Sequence, residues 1–311
     1  MSQDKPLLIV TGATAVGKSA LALKLAQKFN GEIISADSRQ VYIGMDIATA
    51  KATPEELALV PHHLIDVVRP DKPFTLADFQ DLATKAITAI HSRYRLPILV
   101  GGTMLYINAI AEGWSLPRVA PNLELRQKLE ERAAQEGTEK LYAEIVELDP
   151  VAAAQIIPNN TRRIIRALEV YYSTGQLFSE AYGKQPPDYR LLKLGLTLER
   201  EKLYQRADAR IEKMFEAGLI EEVQGLLAQG YSPDLPSMSG VGYGQVVAYL
   251  RGEITLEAAK ERMRFVTHRY IRQQYTWFRR DPEIVWLEAD NLALEVETNK
   301  LVTDFLNKKN I

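Results

Sequence analysis

The chain contains no cysteine, which rules out a disulfide framework, a thiol nucleophile and a cysteine-ligated zinc site. No apolar run approaches the ~18 residues a membrane helix needs, and the first residues, MSQDKPLL, lack a secretory leader pattern. Neither charge is in strong excess, since 38 Lys and Arg stand against 40 Asp and Glu for a formal net charge of −2. Spread evenly, such a balance would argue against a polyanionic partner. It is not spread evenly, as the last third of the chain shows. The 311 residues can form one large or two modest domains, with the 46% hydrophobic and 25% charged content of a globular protein. The expected location is the cytoplasm, with no membrane association, no protein partner implied and a monomer as the default.

What is present begins near the amino end. Leu7 to Val10 is a short apolar run suited to a strand buried on both faces. Gly12-Ala13-Thr14-Ala15-Val16-Gly17-Lys18-Ser19 then fits G-x-x-x-x-G-K-[ST], and Ala20 to Lys28 reads as a helix. Strand, glycine loop and helix are the context this phosphate-binding motif requires. The glycines let backbone N–H groups turn inward toward phosphate oxygens, and the helix start adds free N–H groups and a positive dipole end. Lys18 brings a mobile cation, and the Ser19 hydroxyl suits Mg²⁺. A cradle of this kind binds polyphosphate without saying what is done to it.

Further along, Glu32 to Ser35 reads as a second strand running into Asp37-Ser38-Arg39-Gln40. Ligands of open α/β sheets sit beyond the carboxyl ends of the strands, so Asp37 should face the phosphate crevice. Magnesium ligand, general base and turn cap are all open to it. Leu64 to Val68 is a third strand candidate, Thr75 to Ser92 an amphipathic helix, and Pro97 to Val100 a fourth strand ending in Gly101, Gly102 and Thr103. Glycines there suit either the close approach of a ligand or a plain tight turn. His62 and His63 fit a turn or strand edge better than a metal site. The pattern predicts a parallel α/β sheet flanked by helices.

From about Leu116 to Arg190 short helices replace the alternation, and Leu191 to Leu198 resumes the sheet. This predicts a discontinuous core over 1–115 and 191–311, with an all-helical insertion over 116–190. Within the insertion, Arg162, Arg163 and Arg166 open a helix, where the dipole disfavours cations unless an anion or nearby carboxylates answer them. Glu199 to Ala217 carries Arg206 and Arg210 one turn apart. A glycine-rich loop, Ser239-Gly240-Val241-Gly242-Tyr243-Gly244, follows. The long helix from Thr255 to about Arg279 has six arginines and no acid between Arg262 and Arg280. Arg262, Arg269, Arg272 and Arg279 share an arc, while Met263, Val266, Tyr270 and Trp277 form a stripe expected to pack on the core. An uncompensated arginine face suits a nucleic-acid backbone, through phosphate gripping and base stacking. Two classes fit these features: a small-molecule P-loop kinase, or a transferase acting on a nucleic acid with diphosphate as leaving group.

The runs GATAVGKS (12–19), ISADSRQVYIGMDIATAK (34–51), LVGGTMLY (99–106), DPVAAAQIIPNNTRRIIRALEVY (149–171), RADARIEKMFEAGLIEEV (206–223), VGYGQ (241–245) and RQQYTWFRR (272–280) carry a resemblance. In them the chain resembles the tRNA dimethylallyltransferases over nearly its whole length. The resemblance implies a P-loop NTPase-like fold and transfer of a prenyl group from dimethylallyl diphosphate to N6 of the adenosine 3′ of the anticodon. It implies that Thr14, Lys18 and Ser19 hold diphosphate and Mg²⁺. Asp37 would accept the amino proton, and Arg210, with Thr103 and Arg163, would steady charge on the diphosphate or the substrate backbone. Contacts to the tRNA anticodon stem-loop are implied for Asp37, Ser38, Arg39 and Gln40. The same holds for Thr103, Arg126, Arg162, Arg163 and Arg166, for Ser239 to Gly244, and for Arg272, Gln273, Gln274, Trp277 and Arg279. Ser239 and Gly244 stand where some relatives have arginine, implying a weaker grip there. An adenylate isopentenyltransferase acting on free nucleotides is the related alternative.

Overall fold

The computed structural model describes residues 5–308. Two compact units divide the chain: 1–111 with 188–311, and 112–187.

The first unit is built on six parallel strands: β1 (Pro6–Gly12), β2 (Gly31–Ser35), β3 (His62–His63), β4 (Leu96–Val100), β5 (Arg190–Thr197) and β6 (Ile284–Glu288), in the order β3-β2-β4-β1-β5-β6. Leu7, Leu8, Ile9 and Val10 are fully buried, because helices cover both faces of the sheet. The Lys18–Lys28 helix packs Leu21, Ala22 and Leu25 on one face, and Leu76–Ser92 packs Phe79, Ala83 and Ile87 on the other. This is a P-loop NTPase-like sheet, with β1 at its centre and its carboxyl end turned to the crevice.

The third strand is His62–His63 and not Leu64 to Val68, where only Val68 makes an isolated bridge, to Tyr42. Leu64 and Asp66 have φ of 63° and 55°, and left-handed residues cannot continue a strand. The glycine-rich segment is likewise more ordered than a loop, since a 3₁₀ turn at Pro236–Ser239 leads into a helix at Tyr243–Leu250.

The second unit joins helices Leu123–Glu136, Thr138–Leu148 and Thr161–Thr174 around Leu129, Leu141, Ile145, Ile164 and Leu168. It is not wholly helical: Trp114–Ser115 and Gly183–Lys184 form a short antiparallel pair. Among the described residues no helix is long and apolar enough to cross a membrane.

Candidate active site

The phosphate loop leaves β1 at Gly12. A Cβ there would stand 2.5 Å from the Leu196 carbonyl oxygen of the adjoining β5, so the strand can turn only at glycine. Ala15, at φ 63°, and Gly17, at φ 109°, complete the curl. The helix beginning at Lys18 has no side-chain cap and no acid in its first turn, which leaves its first N–H groups and dipole for an anion.

Lys18 Nζ donates to the Ala13 carbonyl oxygen at 2.7 Å. Burial, and secondarily the positive charge of Arg210, push its pKa down to about 7, although Asp37 pulls it up. Arg210, on the Arg200–Glu216 helix, is also lowered by burial and supported by Asp37. Asp37 lies just beyond β2, where its Oδ1 accepts the Arg39 N–H at 2.8 Å. Thr103 Oγ1 accepts the Ser38 N–H at 3.1 Å, tying the end of β4 to the aspartate segment.

Two cavities adjoin here. One, of about 100 Å³, is lined by Thr14, Lys18, Ser19, Asp37, Gln40 and Arg210 among others. The other, of about 340 Å³, is lined by Thr14, Asp37, Arg210, Ser239, Gly240 and Tyr270, with apolar walls from Ile211, Met214 and Met263. Thr14, Asp37, Thr49 and Arg210 border both. Tyr270 and Thr49 were not singled out as site residues by pattern. Tyr270, which the apolar stripe assigns to the core, lines the larger cavity and keeps its proton, with a pKa pushed to about 12 by burial and then by Asp37.

The close glycines serve packing. A Cβ on Gly101 would lie 2.1 Å from the Ala36 carbonyl oxygen, and one on Gly102 2.4 Å from Gln274 Nε2.

Several implied RNA contacts are turned elsewhere. Gln274, 1% exposed, is inside the core, because the inward stripe at this end of Leu256–Phe278 runs through Ile271, Gln274 and Phe278. Trp277 is 37% exposed and off that stripe. Tyr243 is fully buried, its hydroxyl donating to Glu222 at 2.9 Å, and Gly240 and Gly242 are buried beside it, while Ser239 and Gly244 are exposed. Arg39 is latched to its own protein through the Pro236 carbonyl at 2.7 Å and Ser239 Oγ at 3.0 Å. Arg262, Arg269, Arg272, Gln273 and Arg279 are exposed. Arg269, Arg272 and Arg280 line an open groove with Trp277 and with Phe265, an exposed aromatic that pattern reading passed over.

In the second unit, Arg126 and Arg166 converge on Glu169, which is 0% exposed. Arg126 makes a bidentate contact at 2.8 and 2.9 Å. A carboxylate one turn along the same helix thus answers Arg166 and removes the need for an outside anion. Arg163 lies over the Tyr182 ring at 5.9 Å, and Arg162 is exposed.

Sheet, loop and crevice define a P-loop α/β protein with an anion cradle beside a carboxylate. The chain belongs to the IPP transferase family, whose model matches residues 40–281. It is 54% identical over 302 residues to the tRNA dimethylallyltransferase of Roseiflexus sp. (strain RS-1), covering 97% of this chain and 99% of that one. It is 51% identical to that of Dehalococcoides mccartyi, covering 97% and 93%. The solved tRNA isopentenylpyrophosphate transferase of Bacillus halodurans is similar at TM-score 0.74 and 42% identity over 98% of both chains. A eukaryotic dimethylallyltransferase solved acting on tRNA is similar at TM-score 0.80 and 28% identity, over 99% of this chain and 81% of that one.

Proposed function

We propose that this protein transfers a dimethylallyl group from dimethylallyl diphosphate to N6 of the adenosine immediately 3′ of the anticodon in tRNA. The observation that carries the reading is that Asp37 and Arg210 border both cavities. The smaller cavity, ending in Lys18 and Ser19, suits the diphosphate; the larger suits the adenine, extruded from its stack as base-modifying enzymes require. The allylic C1 then lies between them. N6 attacks C1, the C1–O bond breaks, and the diphosphate takes the electron pair. Asp37 accepts the N6 proton, which an exocyclic amine conjugated to its ring must lose as it bonds. Arg210, Lys18 and the loop N–H groups meet the charge that develops on the leaving oxygens.

Magnesium fits this arrangement. Among the described residues no three His, Cys, Asp or Glu side chains are grouped as a metal site. The chain instead offers the exposed Ser19 hydroxyl at the cradle, with Asp37 on the same cavity. That suits an ion that keeps water and takes its other oxygens from phosphate. Ser19 would hold it, and the ion would neutralise diphosphate charge. The proposed setting is the cytoplasm, with tRNA docked along the arginine face of Leu256–Phe278.

Incubation with labelled dimethylallyl diphosphate and either tRNA or AMP tests the reading. Label on tRNA adenosine supports it. Label on AMP alone, or ATP turnover without prenyl donor, overturns it.

A further inference from the structure

Gln274 sits on the arginine-rich helix, yet its amide is spent inside the protein. Oε1 accepts the phosphate-loop Thr14 N–H at 2.8 Å, and Nε2 donates to the Gly102 carbonyl oxygen at 2.9 Å. Both partners are backbone groups, so the amide grips the course of two chain segments. A Cβ on Gly102 would stand 2.4 Å from Gln274 Nε2, so one can be added there only if the amide end moves aside. The residue after Gly102 is Thr103, whose hydroxyl accepts the Ser38 N–H and whose own N–H donates to the Ala36 carbonyl oxygen at 3.3 Å. Ala36 and Ser38 flank Asp37. The path from the phosphate loop therefore runs through the two Gln274 hydrogen bonds to Gly102, along the chain to Thr103, and through the Thr103 hydrogen bonds to the two residues that flank the aspartate. One side chain joins the diphosphate cradle to the segment beyond β4, and that segment is in turn hydrogen-bonded to the one beyond β2 that holds the carboxylate.

We infer that Gln274 is a positioning residue that sets the phosphate loop and Asp37 at their working separation, and that it carries this from inside the helix whose outer face bears Arg272 and Gln273. The inference rests on the proposed function for its catalytic consequence. Its effect on the loop does not depend on the group transferred. Misplacement of about 1 Å between reacting groups costs on the order of a hundredfold in rate. Loss of the amide should therefore weaken transfer more than it weakens binding.

The test uses Gln274→Met, which keeps length and removes both polar contacts, and Gly102→Ala, which displaces the amide from the other side. Pyrophosphate affinity, tRNA affinity and kcat for prenyl transfer at saturating substrates are measured for each variant and for the double variant. We expect pyrophosphate to bind about fivefold more weakly, kcat to fall roughly 30-fold or more, and tRNA affinity to stay within twofold. The double variant should lose little beyond either single change, because both remove the same coupling. Unchanged pyrophosphate affinity with unchanged kcat would overturn the inference, as would a loss confined to tRNA affinity, the mark of a direct RNA contact. Should Gln274→Met not fold, Gly102→Ala decides by the same readouts. If the unmodified protein prenylates no tRNA, the proposed function fails, while the pyrophosphate measurement still decides the role of Gln274.

Discussion

Lys18 Nζ donates to the carbonyl oxygen of Ala13, 2.7 Å away, so the cation of the phosphate loop rests on the loop itself. Burial first, then Arg210, bring its pKa to about 7. The free lysine is protonated below that pH and neutral above it, whereas a bound diphosphate holds the proton on. Diphosphate binding above pH 7 should therefore take up a proton, and affinity should fall as pH rises through 7. The ligand titrates too, so the useful quantity is the affinity ratio between the wild type and Lys18→Met. That ratio should shrink by up to about tenfold per pH unit between pH 7 and 9. Calorimetry in two buffers of different ionisation enthalpy should report close to one more proton taken up at pH 8 by the wild type than by Lys18→Met. A ratio independent of pH would show that the loop holds this lysine charged throughout.

Asp37→Asn isolates the proton acceptor. Asparagine keeps an oxygen for the Arg39 N–H that Asp37 Oδ1 accepts at 2.8 Å, so the turn beyond β2 should persist. General base removal costs typically about 10²–10⁴-fold in rate. Prenyl transfer should fall by that much, with pyrophosphate affinity within a few-fold of wild type. Transfer at the wild-type rate would remove Asp37 from the chemistry.

How much was legible before the structure depended on whether backbone or side chain carried the signal. The phosphate loop could be read because glycine spacing and the flanking strand and helix are local properties, as Gly12 and Gly17 illustrate. The six parallel strands were legible as apolar runs, except β3, whose two residues are too short to show a period. Gln274 was not legible. Apolar patterning admits no amide to a core stripe, so Trp277 was placed there although it is exposed. The partners that bury Gln274, Thr14 and Gly102, lie 260 and 172 positions away. Arg126 and Arg166 were hidden in the same way: a lone Glu169 gives no hint that it takes both.

Glu169 should be the most costly carboxylate to neutralise in the second unit. It is fully buried and accepts from Arg126, Arg166 and the Asn122 N–H. Burial alone would raise its pKa, but the two guanidiniums and the backbone N–H outweigh it and hold it below the ordinary carboxylate value. Its contribution is therefore present above pH ~4.5 and is lost as pH falls through the lowered native value. Glu169→Gln leaves two guanidiniums around a neutral amide and should destabilise this unit by about 3 kcal/mol in urea titration at pH 7. Glu124→Gln, in the exposed Glu124–Lys128 pair, should leave the midpoint unchanged. Equal midpoints for both variants would show that the buried network adds nothing to folding.

The last prediction concerns the arginine face. Arg272 Nη1 donates to the Tyr204 hydroxyl at 3.1 Å, and the Arg279 guanidinium lies 5.3 Å over the Tyr275 ring. Both are exposed, so an aromatic partner orients each without neutralising it. Every phosphate met by such a cation releases counterions, and the slope of log affinity against log salt reports their number. Arg272→Glu with Arg279→Glu should weaken tRNA binding and lower the magnitude of that slope by about one for each lost phosphate contact. The pair lies outside both cavities, so pyrophosphate affinity should not change. The same double change should leave the melting temperature intact, because neither side chain is part of the core. A salt slope equal to that of the wild type would mean that tRNA docks elsewhere, and the absence of acids between Arg262 and Arg280 would then need another cause.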